Sequence, residues 1–256
     1  MTKPKNTESV ELELYVAIPD LHIPYEDKES VKTVMHFLKD VQPDHVVLIG
    51  DVVDMYSVSR FDKDPKRANR LQEELDATKE FLRAFRDTVG DAEITYLEGN
   101  HEQRVMKYLR RYPEMADLRS LKIPAMLDLE ELGIDYREDL IVNDNFLFTH
   151  GEKIAVHATK AELSHSGMSG MSGHTHHCQM YSNTDRKGVA AWYSIGHLCD
   201  VDQAEYTRLP NWQEGIGVVY FEKKSGRFFA TVVHIVNHKF IFSGKMFTPN
   251  GVQKLG

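Results

Sequence analysis

The chain has 256 residues, 41% of them hydrophobic and 27% charged, a globular composition long enough to build a core without disulfide staples. Asp and Glu outnumber Lys and Arg by 39 to 31, and the net charge of −8 speaks against binding nucleic acid through a broad positive field. Two cysteines, Cys178 and Cys199, make no disulfide framework, no apolar run nears the ~20 residues of a membrane span, and Met1–Ser9 has no apolar signal core; secreted, membrane and collagen-like classes are excluded and a cytoplasmic location is expected.

No repeat or low-complexity linker divides the chain, so one domain over residues 11–256 is expected, preceded by a frayed end at residues 1–10. Leu14–Ile18 reads as a buried strand. A helix follows over Glu29–Val41, where Val31, Val34, Met35 and Leu38 share a face. His45–Ile49 is a second buried strand. A long helix is predicted over Lys66–Val89, with Leu71, Leu75, Thr78, Leu82, Phe85 and Val89 on one face and Gly90 as its cap. Ile94–Leu97 is a third strand and Glu102–Arg111 a helix that Pro113 stops. This alternation is the pattern of a parallel α/β sheet. The second half is richer in strand: Asp139–Val142 and Asn145–Thr149 form a hairpin around Asn143-Asp144. Val189–Ile195, Gly217–Phe221, Phe228–Val236 and Phe240–Phe242 follow, with a tight turn at Lys224-Ser225-Gly226. Two facing sheets flanked by helices accommodate both halves.

Each apolar run ends at a metal-competent side chain. Leu14–Ile18 delivers Asp20 and His22. His45–Ile49 delivers Asp51 and, three residues on, Asp54. Ile94–Leu97 delivers Asn100 and His101, Phe146–Thr149 delivers His150, and Met168–Gly173 delivers His174 and His176. C-terminal strand ends lie on one edge of an open α/β sheet, where ligands bind, so five deliveries outweigh any single motif. In D-x-H and H-x-H, alternate residues of an extended segment face the same way and can reach one ion. Gly50, Gly99, Gly151 and Gly173 sit beside these residues, where side-chain bulk would block an ion. Singly, each has a bland alternative: Asp51 and Asp54 as helix caps, Asn100 as a turn residue, His150 as a hydrogen-bonded strand-end histidine. Asp, His and Asn donors without a thiolate suit Mn, Fe, Zn or similar ions.

Asp20-Leu21-His22, Gly50-Asp51-Val52-Val53-Asp54, Gly99-Asn100-His101-Glu102, His150-Gly151 and Gly173-His174-Thr175-His176 stand in the order of the motifs of the calcineurin-like metallophosphoesterases, and the chain resembles that family over about residues 14–177. The resemblance implies an α/β fold, a four-layer α/β/β/α sandwich of two facing mixed sheets, with two divalent ions at the strand ends. Mn is expected first, with Fe, Zn or Ni as alternatives. One ion would be held by Asp20, His22 and His176, the other by Asn100, His150 and His174, with Asp51 bridging. The implied reaction is hydrolysis of phosphodiester or phosphomonoester bonds through in-line attack of a bridging hydroxide. His101 would protonate the leaving alkoxide or stabilise its charge, and Asp54 would orient its ring. Asp54 is followed by Met55-Tyr56, unlike the Arg-Gly of phosphoprotein phosphatases. Ser57–Phe61 and Asn211-Trp212-Gln213 are similar to phage and prophage members.

The expected substrate is a nucleotide or a nucleic-acid end. Arg60, beside Phe61, and His197, after Val189–Ile195, are candidate substrate contacts, against the alternatives of a solvated arginine and an ordinary loop histidine. Glu102 either sets the loop around Asn100 or simply favours a helix N-terminus. Arg104, Lys107, Arg110 and Arg111 form one basic cluster and Lys63, Lys66, Arg67 and Arg70 another, but interleaved Asp62, Asp64, Glu73 and Glu74 favour solvated faces. Two other functions compete: a polynucleotide-specific nuclease reading through those clusters, and a non-catalytic metal-binding scaffold presenting Trp192 and Trp212 to a partner. His101 beside a full ligand set argues against the scaffold. No membrane partner is expected, and the oligomeric state stays open.

Overall fold

A computed structural model of the chain describes residues 10–64, 70–186, 188–203 and 210–256. In chain order the elements are β1 (Leu12–Ile18), α1 (Lys28–Val41), β2 (His45–Leu48), α2 (Leu71–Val89), β3 (Glu93–Leu97), α3 (Gln103–Leu109), α4 (Ile123–Met126), β4 (Ile134–Arg137), β5 (Asp139–Val142), β6 (Phe146–Thr149), α5 (Ala158–Ser166), β7 (Ser169–Ser172), β8 (Cys178–Asp185), β9 (Gly188–Ile195), β10 (Gly215–Glu222), β11 (Phe228–His234), β12 (Phe240–Phe242), β13 (Lys245–Thr248) and β14 (Gly251–Lys254).

The apolar runs of the first half form the interior of a six-stranded sheet ordered β11-β10-β1-β2-β3-β4. Strands β1 to β4 run parallel, and β10 and β11 extend the sheet antiparallel. The central strands are apolar on both faces because both faces are covered. Val16, Ile18, Val46 and Leu48 share a core with Phe37 and Leu38 of α1 and Leu82 and Phe85 of α2. The alternate residues Tyr15, Ala17, Val47 and Ile49, with Leu97, pack onto Phe146, Phe148, Met171 and Ile195 of a second sheet. That sheet, ordered β5-β6-β7-β9-β8, is mixed, and α5 lies against its β8 and β9. Helix, sheet, sheet and helix make the four-layer α/β/β/α architecture anticipated from the motifs.

Local chemistry sets the element ends. Asp27 caps α1 by accepting the Ser30 N–H at 2.8 Å. Gly90 closes α2, its N–H reaching the Arg86 carbonyl at 3.0 Å. Asn143 and Asp144 take φ of 51° and 53° between antiparallel β5 and β6, the twist a two-residue hairpin demands.

The structure departs from the sequence reading in several places. Helix α2 is observed from Leu71, the expected start at Lys66 lying outside the described residues, as does the expected frayed end except for exposed Val10. Strand β7, Ser169-Gly170-Met171-Ser172, has weak strand propensity and was met only as a segment. It is extended because it is buried between β6 and β9, and a side chain at Gly170 would strike the Trp192 ring and the Leu147 carbonyl at 2.6 Å. The run Phe228–Val236 stops at His234. Strands β12 to β14 form a third sheet outside the sandwich, in which Phe240, Phe242 and Phe247 set edges around Phe37 of α1 at 5.2–5.3 Å. No helix among the described residues is long and apolar enough to cross a membrane.

Candidate metal centre

The loops leaving β1, β2, β3, β6 and β7 meet at one place. Five of the seven expected ligands there hold left-handed backbone: Asp20 (φ 27°), His22 (52°), Asp51 (49°), His174 (63°) and His176 (59°). This conformation is costly for residues with a Cβ, and such strain collects at functional sites. Glu102 holds two of the loops together. Its buried carboxylate accepts the N–H of Asp51, Val52 and Gly99 at 2.9 Å each and the Tyr96 hydroxyl at 2.7 Å. Of its two expected roles, setting the loop is the one observed.

All seven expected ligand side chains come together. Around Asp20, the Oδ1 atom lies 3.3 Å from His176 Nε2, which lies 3.2 Å from His22 Nε2. On the other side, His150 Nε2 lies 3.1 Å from Asn100 Oδ1 and 3.2 Å from His174 Nδ1. Asp51 stands between, its Oδ2 3.4 Å from His150 Nε2 and 3.9 Å from His22 Nε2. Asp54 Oδ1 sits 3.0 Å from Nδ1 of both His22 and His101. His150 donates Nδ1–H to the Ile49 carbonyl at 2.8 Å. These outer bonds turn Nε2 of His22 and His150 towards the centre.

The electrostatics favour positive charge at the centre. Burial opposes ionisation of Asp20, but the hydrogen bond and charge of His176 hold its carboxyl below the ordinary value. Asp51 is likewise held well below it, burial being outweighed by the charges of His101 and His150. Burial disfavours a charged His150, yet Asp51 pushes its pKa up to about 10. Burial, and then the charge of His150, pushes His174 down. Ligand atoms about 2.0–2.2 Å from one divalent ion sit roughly 3–3.5 Å apart, which is the spacing of both donor groups. Added side chains at Gly99 and Gly173 would run into the carboxylates of Asp51 and Asp20. His176 Nδ1 is buried and has no hydrogen-bond partner. The residues present fit divalent cations.

Other expected residues fall elsewhere. Arg60 is exposed, its guanidinium 5.3 Å over the Phe61 ring. His197, a candidate substrate contact, is instead only 1% exposed and packed against His176 and Trp212, because the loop after β9 folds under the centre. Burial holds its pKa down to about 3. Trp192, which a scaffold would present to a partner, is fully buried and donates to Ser172 Oγ at 3.0 Å. In the basic clusters, Arg70 pairs with Glu73 at 3.2 Å, and Lys66 and Arg67 lie outside the described residues. Arg104, a member of the first basic cluster, turns inward instead, Nη2 lying 2.6 Å from His101 Nε2. Its place one helical turn after His101 was the only signal in the sequence.

The chain is 29% identical over 250 residues to the Gene 54 protein of Mycobacterium phage L5, covering 90% of this chain and 97% of that protein. It is 30% identical over 224 residues to the Gene 54 protein of Mycobacterium phage D29, covering 80% and 87%. Among solved structures it is similar to Vacuolar Protein Sorting 29 from Cryptosporidium parvum, at 14% identity and a TM-score of 0.49 over 93% of this chain and 98% of that one. It is also similar to an archaeal phosphodiesterase, at 14% identity and a TM-score of 0.43 over 86% and 99%. Residues 15–199 match the calcineurin-like phosphoesterases, a span that contains every side chain gathered at the strand ends, and the chain belongs to that family.

Proposed function

We propose that this chain, as one domain over residues 11–256, is a phosphoesterase that works with two divalent cations on phosphodiester or phosphomonoester bonds of nucleotides or nucleic-acid ends. The observation that carries the reading is the Asp51 carboxylate standing between the His22 and His150 sides of one buried centre. Asp20, His22 and His176 would hold one cation, Asn100, His150 and His174 the other, and Asp51 both; Mn suits this oxygen and imidazole set, as do Fe, Zn and Ni. When bound, such a pair supplies a nucleophile from water at neutral pH and neutralises charge developing on phosphoryl oxygens.

The remaining work belongs to side chains that hold no metal in this reading. His101 directs Nδ1 to Asp54 at 3.0 Å, which leaves Nε2 to carry a proton to the departing oxygen. Asp54 fixes that ring and the His22 ring through one oxygen, so the proton donor and a ligand keep a set spacing. Exposed Arg60 is assigned to the rim as a phosphate contact, and buried His197 to packing behind His176.

The test is direct. Protein stripped of metal and reloaded with Mn is assayed on p-nitrophenyl phosphate, bis-p-nitrophenyl phosphate and then a panel of nucleotides and oligonucleotide ends. Mn-dependent hydrolysis of at least one class is expected; absence of turnover in protein that holds two ions per chain would overturn the reading.

A further inference from the structure

Arg104 has no part in the reaction as described so far, yet it is the side chain closest to the proton donor's working nitrogen. Its side chain is 16% exposed. Nη1 donates to the Asp54 carbonyl oxygen at 2.7 Å, and Nη2 donates to His101 Nε2 at 2.6 Å. Among the described residues its carboxylate neighbour is Asp54, whose Oδ2 is 3.9 Å away. The charge of Arg104 is therefore held near the centre with its two hydrogen bonds on a carbonyl and an imidazole, and the Asp54 carboxylate beyond hydrogen-bond distance.

This arrangement creates a conflict of use. His101 faces Asp54 through Nδ1, so the nitrogen that accepts from Arg104, and carries no proton while it does, is the one that must take a proton from water and pass it to the leaving oxygen. The two cannot occupy Nε2 together. When a substrate oxygen arrives, Nη2 must let go, while Nη1 remains tethered to the Asp54 carbonyl. The freed N–H then lies beside the oxygen that displaced it. A planar, permanently charged fork in that position matches a phosphoryl oxygen anion, and a lysine point charge would not reproduce it.

We propose that Arg104 is a substrate-contacting residue that exchanges His101 Nε2 for an anionic oxygen of the bound phosphate ester. The proposal rests on the phosphoesterase reading of the centre.

Wild type, Arg104→Ala and Arg104→Lys are reloaded with Mn and their metal content is measured. Orthophosphate affinity is read by calorimetry, and KM and kcat with bis-p-nitrophenyl phosphate. Arg104→Ala should keep its metal, bind orthophosphate about 10- to 100-fold more weakly and show a KM raised by a similar factor, the cost of one charge-assisted contact. Added guanidinium ion should restore part of the loss, and Arg104→Lys should fall between. Unchanged orthophosphate affinity and KM with a reduced kcat would overturn the proposal and leave Arg104 a brace for His101. A wild type that binds no Mn and hydrolyses nothing would overturn the phosphoesterase reading itself. Should Arg104→Ala fail to fold, Arg104→Gln keeps amide donors without the charge and is read by the same criteria.

Discussion

Glu102 accepts the backbone N–H of Asp51 at 2.9 Å, tying the loop after β3 to the loop after β2 beneath the centre. Burial, and then the charge of Asp51, pushes the Glu102 pKa up, while its hydrogen bonds oppose that shift. In Glu102→Gln an amide NH2 must face N–H donors where an oxygen now accepts. We expect a loss of about 2–4 kcal/mol in unfolding free energy, read from denaturant midpoints at constant slope. Tyr96→Phe removes one bond to the same carboxylate and should cost about 1 kcal/mol.

Asp51 touches both halves of the centre, so Asp51→Asn should lower occupancy of both cations together, measured as metal content after dialysis. His174→Ala should lower one and largely spare the other. Equal loss in both variants would mean that the two donor groups do not act as separate sites. Added Mn should also raise the thermal midpoint of the wild type and do so less in Asp51→Asn, since a ligand bound to the native state alone stabilises it by mass action.

One Asp54 oxygen serves two imidazoles, and its carboxyl lies far below the ordinary value, burial being outweighed by the hydrogen bonds of His101 and His22. Asp54→Asn should therefore weaken metal binding about 10- to 100-fold through His22, as well as slowing turnover through His101. His101→Ala should keep its metal and lose about 10²- to 10⁴-fold in turnover on alkyl esters, and less on p-nitrophenyl esters, whose leaving groups need no proton. Metal titration beside a leaving-group series separates the two variants.

A pH effect on stability is expected away from the centre. Burial pushes Glu214 from 4.5 up to about 7; Ser30 donates to it at 2.8 Å, and Asp27, Asp200 and His238 are the charged or titratable groups around it. A carboxyl with a raised folded-state pKa binds more protons folded than unfolded, so stability falls as pH rises from 4.5 to about 7 and levels off above. Glu214→Gln should flatten that decline in thermal midpoints. A wild-type curve already flat across this window would count against a partly buried, protonated Glu214.

The sheet core and the ligands were legible because both are written locally. Val46, Val47 and Leu48 form a run too apolar for anything but a covered strand, and Asp20 and His22 follow β1 at a spacing an extended chain converts into a common direction. Strand β7 was not legible, since Ser169 to Ser172 are extended only through their neighbours on either side. Two strands of the third sheet are illegible for a related reason, while Phe240–Phe242 is legible: Lys245–Thr248 and Gly251–Lys254 gain their order by closing over α1.

The sequence by itself determined which strands form and which side chains their ends carry, because backbone alternation and side-chain chemistry belong to a few consecutive residues. Only the tertiary structure decided what each polar group meets. Arg104 and Lys107 look alike on paper, yet one reaches His101 and the other Gln103 beside it on the helix; His197 looks like a loop residue and lies buried. Burial and charge partners within about 3 Å are set by segments distant in the chain, and those two quantities govern whether a charge is solvated or put to use.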